Sequence, residues 1–568
     1  MLRKIRLTLA ILFFALITLL FLDFTGSVHA LFGWMARIQF LPALLAVNVG
    51  VVLFWVLLTL LFGRVYCSVI CPLGVMQDVI AWFSKRKKKN RYSYSPAKSW
   101  LRYGVLALFI VALIAGIGSV VALLAPYSAY GRIAQNLFAP IWACGNNILA
   151  YLAERMNSYA FYETEVWVRS LPTFIVAGAT LLILVVLAWR SGRTYCNTIC
   201  PVGTVLGLLS RVSLFRPVID LNKCNGCKLC SRRCKASCIN ADAHQIDYSR
   251  CVVCMDCIDV CRQGAISYQY RFKRSETAPA ADHETAASQA ADHADSVSAT
   301  VSTSTSTSTS TSTSASAGTT SSICAPFVHE SGAAPLSSES NVVTCTASGI
   351  STMNPLSDTG KMRRYFLTGL GLWLGAVAVK AQEKKVDGGL AVILDKKIPE
   401  RLTPIVPPGA RGLHHLTAHC TGCQLCVAVC PNGVLRPSTD PIRLMQPEMS
   451  YERGYCRPEC TKCSEVCPAG AILPITPAEK SAIQIGHAVW VKANCLPVTD
   501  GVACGNCARH CPAGAIRMVP LDPNREGSPK IPIVNEERCI GCGACEDLCP
   551  ARPFSAIYVE GHKRHRMI

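Results

Sequence analysis

The chemistry this chain declares first lies in its cysteine spacing. Cys224, Cys227, Cys230 and Cys234 read C-x-x-C-x-x-C-x-x-x-C, and Cys251, Cys254, Cys257 and Cys261 repeat it. Cys420, Cys423, Cys426, Cys430 and Cys539, Cys542, Cys545, Cys549 repeat it again, each followed by proline (Pro431, Pro550). Two stretched copies lie between them: Cys456, Cys460, Cys463, Cys467 and Cys495, Cys504, Cys507, Cys511. In bacterial ferredoxin spacing the first three thiolates of a run hold one cubane and the fourth reaches across to a partner cluster. Six runs therefore predict six 4Fe-4S clusters and one-electron transfer. Zinc ribbons use separated C-x-x-C pairs without a third cysteine at the same step. Disulfide frameworks belong to short secreted domains.

Crossing of the fourth cysteine predicts one cluster on Cys224, Cys227, Cys230 and Cys261, and another on Cys251, Cys254, Cys257 and Cys234. In the C-terminal half the regular runs are outermost and the stretched ones innermost. That order favours a nested pairing, first run with fourth and second with third. Cys234 and Cys261 are followed by Lys235 and Arg262 rather than proline. A cation there favours the reduced cluster unless it faces water. Cys238 reads as a spare, buried thiol.

A second thiol set sits in an internal repeat. Residues 63–74 and 192–203 both read G-R-x-Y-C-x-x-I-C-P-x-G, placing Cys67 and Cys71 opposite Cys196 and Cys200. A spacing of four puts both thiols of a pair on one helix face, unless the following proline breaks the helix. Two parallel copies suggest a pseudo-two-fold axis along a membrane normal. Four thiols converging on that axis suit metal binding, disulfide cycling or a quinone pocket. They are the candidate catalytic residues.

These residues need elements to hold them. Of 568 residues, 51% are apolar and 16% charged, which points to membrane segments. Stretches near residues 5–22, 38–62, 100–125 and 171–189 have about the twenty-residue length of a span. The net charge of +20 is concentrated beside them, as in the basic run 85–91. That is juxtamembrane charge facing membrane lipid rather than a nucleic-acid surface. Basic flanks put both ends of the helical unit in the cytoplasm, together with the first ferredoxin. Val28-His29-Ala30 loosely resembles a signal cleavage site, but three further apolar stretches follow, so the first helix is expected to be retained. Residues 272–360, rich in Ala, Ser, Thr and Asp, read as a disordered tether, with Cys324 and Cys345 as incidental thiols. Arg363-Arg364-Tyr365-Phe366-Leu367 and the apolar run to Val379 match a twin-arginine export pattern. Its mid-chain position suggests a fusion, with the last ferredoxin periplasmic. Short strands are expected at 265–268 and 515–518.

The expected architecture is thus a multi-domain membrane protein. It comprises a four-helix transmembrane domain (1–215), a two-cluster α+β ferredoxin domain (216–271), the disordered linker (272–360), a signal or anchor helix (361–382) and a four-cluster ferredoxin domain (383–568). The helical part holds one histidine, His29, too few for a transmembrane b-type haem. There is no C-x-x-C-H for c-type haem and no G-x-G-x-x-G after a strand for nicotinamide or flavin. Another protein or a membrane quinol must then exchange the electrons.

Residues 1–270, with Cys67, Cys71, Pro72, Cys196, Cys200, Pro201 and the eight ligands from Cys224 to Cys261, resemble the NapH family of quinol dehydrogenase membrane components. Residues 361–568 resemble the NapG/MauM family of exported four-cluster ferredoxins. The resemblance implies a respiratory electron-transfer protein of the bacterial inner membrane. It would pass electrons from the quinol pool to a periplasmic reductase or cytochrome. Other C-x-x-x-C-P polyferredoxins resemble maturation factors that supply electrons for assembly of a metalloenzyme, the alternative reading. Either way, clusters on opposite faces of a ~30 Å layer need something to bridge them.

Overall fold

The computed structural model describes residues 2–23, 26–87, 92–164, 166–272 and 394–568. The tether beyond residue 272, Cys324, Cys345, the twin-arginine segment and the side chains of the basic run lie outside the described residues. The helical part and both ferredoxin parts belong to one compact unit.

Leu-, Ile- and Phe-rich sequence without internal Gly or Pro forms α1, Leu2–Leu22. The second apolar stretch is not one helix. Phe40–Leu45 is followed by a break, with Val47 at φ 54, before α2, Val49–Phe62, whose N-terminus is capped by the Asn48 side chain accepting from the Val51 amide. The third stretch breaks likewise: α3, Ser99–Ile114, ends at Gly116 with φ 70, and a short helix, Gly118–Leu124, follows. Among the described residues, only α1 and the later Leu171–Ser191, each 21 residues, are long and apolar enough to cross a membrane as single helices. The four apolar stretches expected to be single helices thus fold as two continuous helices and two broken ones. Asn48 and Gly116 are the stop signals, hidden in runs that hydropathy alone reads as continuous.

The two repeats fold alike. Each apolar helix ends at a glycine of positive φ (Gly63, 74; Gly192, 69). One helical turn follows, Val65–Val69 or Thr194–Thr198, and then proline opens a new helix, Pro72–Lys87 or Pro201–Ser210. Proline suits a first turn, where its missing N–H is not needed. Each thiol pair therefore spans a break and does not share one helix face. The repeats are cross-tied: Arg64 donates to the Cys196 carbonyl (3.4 Å) and Arg193 to the Cys67 carbonyl (2.7 Å). Gly74 and Gly203 lie so close to those carbonyls that a Cβ would collide with them.

An ion cluster fastens the first ferredoxin to this core. Asp78 accepts from Arg193 Nε (2.8 Å) and Nη2 (2.7 Å) and from Arg6 Nη2 (2.7 Å). Lys235 bridges Asp78 (3.5 Å) and Asp256 (3.1 Å), and Arg3 reaches Asp256 (2.9 Å). Lys235 is thus neither turned to water nor a bare cation, since two carboxylates cancel most of its field. Arg262 is exposed.

The soluble parts repeat one plan. β1, Phe215–Ile219, pairs antiparallel with β2, Ile266–Tyr270, and encloses two cysteine runs separated by a small hairpin, Ile239–Asn240 with Gln245–Ile246. Farther along, the hairpin of β3, Leu435–Pro437, and β4, Pro447–Met449, lies between the first two C-terminal runs. β5, Ile483–Trp490, pairs with the last strand, Ile557–Met567, and encloses the other two runs, separated by the hairpin Ile516–Pro520 with Lys530–Val534. The C-terminal part is two two-run units in tandem.

The two ferredoxin parts dock at opposite ends of α1. Arg3 binds Asp256 and Asp259 at its start. Its last turn packs against the Leu425–Ala428 helix. Nearby, Ser128 Oγ donates to the Thr421 carbonyl (2.6 Å), Asn136 Nδ2 to Gln424 Oε1 (2.9 Å) and the Ser119 amide to the Ile442 carbonyl (3.1 Å). A helix of this length spans about 30 Å.

Burial raises the carboxyl pKa of Asp78, but Arg193, Lys235 and Arg6 outweigh it, and the net shift is downward. Its stabilisation is present above the unfolded carboxylate pKa near ~4 and fades as pH falls through the lower folded value. Asp78→Asn strands two buried cations, Arg193 and Arg6, while Lys235 keeps Asp256. We expect it to cost about 3–5 kcal/mol at neutral pH, read as a lowered thermal unfolding midpoint in detergent. The loss should shrink on acidification. A variant with unchanged stability at neutral pH contradicts this.

Candidate functional site

Four of the cysteine runs are loops wrapped round a cavity, and backbone amides turn toward several of the sulfurs. Cys224, Cys227, Cys230 and Cys261 line one cavity. Cys251, Cys254, Cys257 and Cys234 line a second, and Cys238 lines it with them. The spare-thiol reading of Cys238 was incomplete. It is 1% exposed, its Sγ lies 3.5 Å from Cys234 Sγ, and its hydrogen bond holds the Cys234 thiol down to about 7. The sequence signal was its place four residues after Cys234.

In the C-terminal part the nested pairing is overturned. Cys430 lines a cavity with Cys456, Cys460 and Cys463. Cys467 sits by Cys420, Cys423 and Cys426, adding to burial in raising all three thiols. Cys549 lines a cavity with Cys495, Cys504 and Cys507. Cys511 neighbours Cys539, Cys542 and Cys545 in the same way. Neighbouring runs pair because a short hairpin, not a long connection, joins them. Whether a run is regular or stretched has no bearing on that.

The donor sets suit iron–sulfur clusters. Burial pushes Cys423 and Cys542 up to about 12; burial and then Asp256 do the same to Cys254. Such thiols ionise when iron replaces their protons. Amides of Ile472, Ala515 and Ala556 donate to the sulfurs of Cys467, Cys511 and Cys549 at 3.3–3.4 Å, and hydrogen bonds to sulfur tune cluster potential.

The C-terminal quartets adjoin one another. Cys423 lies against the helices: its carbonyl abuts Gly131, close to Phe21. The Cys456 and Cys539 sets meet through the Cys456 amide, which donates to the Cys542 carbonyl (2.9 Å). Tyr451, fully buried, fills the space beside them and donates its hydroxyl to the Gly541 carbonyl (2.6 Å). Sequence reasoning passed over Tyr451.

Cys67, Cys71, Cys196 and Cys200 are all buried. Gln77 Nε2 donates to Cys196 Sγ and the Gly203 amide to Cys200 Sγ, each at 3.3 Å. Burial, and then the other thiols of the four, pushes Cys71 and Cys200 up. The repeats thus bring the four together. Arg64 beside them is wholly buried, and among the described residues its hydrogen-bond acceptors are neutral: Asn197 Oδ1, the Ser249 carbonyl and the Cys196 carbonyl. Both arginines stood in the repeat motif and went unremarked.

Thiol-lined loops in ferredoxin hairpins define the class: an iron–sulfur electron-transfer protein with several 4Fe-4S domains. Family comparisons agree. A 4Fe-4S dicluster domain matches residues 419–471 and 502–552, and a 4Fe-4S binding domain matches 244–267. Another family described as a 4Fe-4S binding domain matches 44–91 and 173–221, which contain the two repeats rather than any of the six runs. The methylamine utilization ferredoxin-type protein MauM of Methylophilus methylotrophus is 32% identical over 163 residues, covering 28% of this chain and 71% of MauM. The ferredoxin-type protein NapF of Escherichia coli is 28% identical, covering 31% of this chain and 99% of NapF. The ferredoxin-type protein NapH of Haemophilus influenzae is 28% identical, covering 40% of this chain and 68% of NapH. No solved structure matches. The chain belongs to the NapH/MauM-like family of ferredoxin-type proteins.

Pairing of neighbouring runs has a consequence for iron content. Cys423→Ser with Cys467→Ser removes two ligands of one site, so the double variant should lose about four iron atoms, no more than either single variant. Cys423→Ser with Cys549→Ser strikes two sites and should lose about twice that. Nested pairing reverses the two results, and iron analysis after anaerobic reconstitution decides.

Proposed function

We propose that this protein is a membrane-bound electron carrier of quinol dehydrogenase type. It takes electrons from membrane quinol and delivers them through its 4Fe-4S clusters, six in all, to a redox partner on the side of its C-terminal domain, without each electron having to visit every cluster. The twenty-four run cysteines would hold the clusters, which supply one-electron acceptors at fixed positions. The observation that carries this reading is the docking of the two ferredoxin parts at opposite ends of α1, with apolar surface exposed between. Leu12, Leu57, Val111, Ile175 and Leu182 all face outward there. Exposed apolar surface of this extent suits lipid, not water. We take the first ferredoxin as cytoplasmic and the last as periplasmic in the bacterial inner membrane, following the basic flanks of the helices.

In the same reading Cys67, Cys71, Cys196 and Cys200 link the two faces. Their burial, and the crossed arginines that hold their backbone, suit a fixed relay better than a substrate site that must open. The uncompensated charge of Arg64 favours a negative centre beside it, as metal-bound thiolates would be.

The test is direct. Purified full-length protein mixed anaerobically with a menaquinol or ubiquinol analogue should show cluster reduction by visible absorbance and electron paramagnetic resonance. Reduction by dithionite but by no quinol analogue ends the proposal.

A further inference from the structure

We infer that the quinol headgroup binds in a cavity of about 160 Å³ at the junction of the helices with the C-terminal ferredoxin part. This rests on the quinol reading above and places the site away from the cysteine repeats, at the opposite end of α1 from the first ferredoxin.

The walls are right for a quinol. Phe21, Trp142 and Trp167 supply flat apolar faces, and rings of this kind receive planar ligands by offset stacking. Trp167 is held by Arg436 and Arg453, whose guanidinium groups lie 4.9 and 4.6 Å from its ring centre. Trp142 is half-exposed, and Ile141 and Ile148 on the same helix are more exposed still. The cavity therefore adjoins an apolar outer surface from which a lipid-soluble ligand can enter.

The polar groups are few, as small-molecule sites require. Gln135 lines the cavity, is 8% exposed, and its Oε1 is buried with no hydrogen-bond partner among the described residues. An orphaned buried acceptor costs about 1–3 kcal/mol, and a quinol hydroxyl satisfies it. Asp23, also on the wall, accepts from His29 Nδ1 (3.2 Å) and from the amides of Gly26, Val28 and His29. His29 Nε2 is buried and has no hydrogen-bond partner among the described residues.

The cavity also lies near two thiol quartets, though no cysteine lines it. Ala428 on its wall lies between Cys426 and Cys430, which belong to different quartets. Arg169, another wall residue, donates to the Val427 carbonyl and stands close to both thiols. Oxidation of one quinol breaks two O–H bonds and leaves the quinone. Cys420, Cys423, Cys426, Cys467 and Cys430, Cys456, Cys460, Cys463 would hold the two iron–sulfur clusters, which would accept the quinol's two electrons singly. Its two protons leave one after the other through the Asp23–His29 pair. Neither electron has to cross the apolar layer.

The test uses the full chain in detergent and the fluorescent quinol analogue 2-heptyl-4-hydroxyquinoline N-oxide. Ala143→Trp, which fills the cavity, should weaken its binding at least tenfold while iron content stays at the wild-type level. Gln135→Leu should weaken it less. An azidoquinone photolabel on wild-type protein needs no variant to fold, and should mark residues 135–143 or 166–169. Binding unaffected by Ala143→Trp, or label on 65–74 or 194–203 instead, overturns the site and leaves the quinol reading standing. Wild-type protein that binds neither probe overturns both.

Discussion

No cysteine run in this chain is self-sufficient. Every quartet takes three thiols from one run and one from its neighbour, so a site closes only when two runs lie side by side. The hairpins do that work: 239–246, 435–449 and 516–534 each turn the chain back so that the fourth thiol of one run meets the first three of the next. Electron transfer falls off steeply with distance, and crossed ligation keeps neighbouring sites close without further machinery. The same constraint sets the order in which sites can follow one another. Within a unit they alternate across the hairpin; between units they meet at one backbone hydrogen bond, from Cys456 to Cys542.

The helical core solves a related problem with arginine. Two copies of one motif must face each other without a continuous sheet or bundle seam to register them. Each copy sends its arginine to the carbonyl of the other's first cysteine, and each keeps a glycine where that carbonyl passes. Exchange of side chains between copies makes the interface self-complementary, as in an isologous dimer. Asp78 departs from the symmetry. The carboxylate stands in the first copy alone, since residue 207, the counterpart of 78, is glycine. The space at Gly207 is taken by Arg102, which donates to the Ser249 carbonyl at 3.1 Å. One repeat is thus adapted to hold the ion cluster and the other to admit a guanidinium, and both adaptations grip the first ferredoxin.

The thiol chemistry was legible in the sequence because ligand spacing is local. The crossing within 224–261 and the strands near 266 and 516 follow from the same short-range rules. What the spacing did not carry was the partner of each C-terminal run, because that depends on hairpins whose strands are three to five residues long and carry little periodicity. Hydropathy likewise missed the breaks at Asn48 and Gly116, since one polar residue or one glycine barely changes a twenty-residue average. Cys238 and Lys235 were noticed but underread. Their significance comes from Cys234, Asp78 and Asp256, and Asp78 is far away in the chain.

Those breaks have a positive role. A broken apolar helix exposes amides that must find partners, and here one partner comes from another domain: the Ser119 amide reaches Ile442, while His419 Nδ1 lies 3.2 Å from the Leu45 carbonyl at the other break. Irregular backbone at the end of a helical unit thereby becomes a docking surface for the C-terminal ferredoxin part. The site proposed for quinol lies at that same junction, with walls from α1, the 139–155 helix and the Leu425–Ala428 helix. A chain built this way needs its helical and C-terminal parts together to complete the site, which gives a physical reason for joining them in one polypeptide. On this arrangement the C-terminal cysteine quartets stand next to the quinol site, and the buried cysteine quartet of the repeats is left to connect the first ferredoxin with the rest.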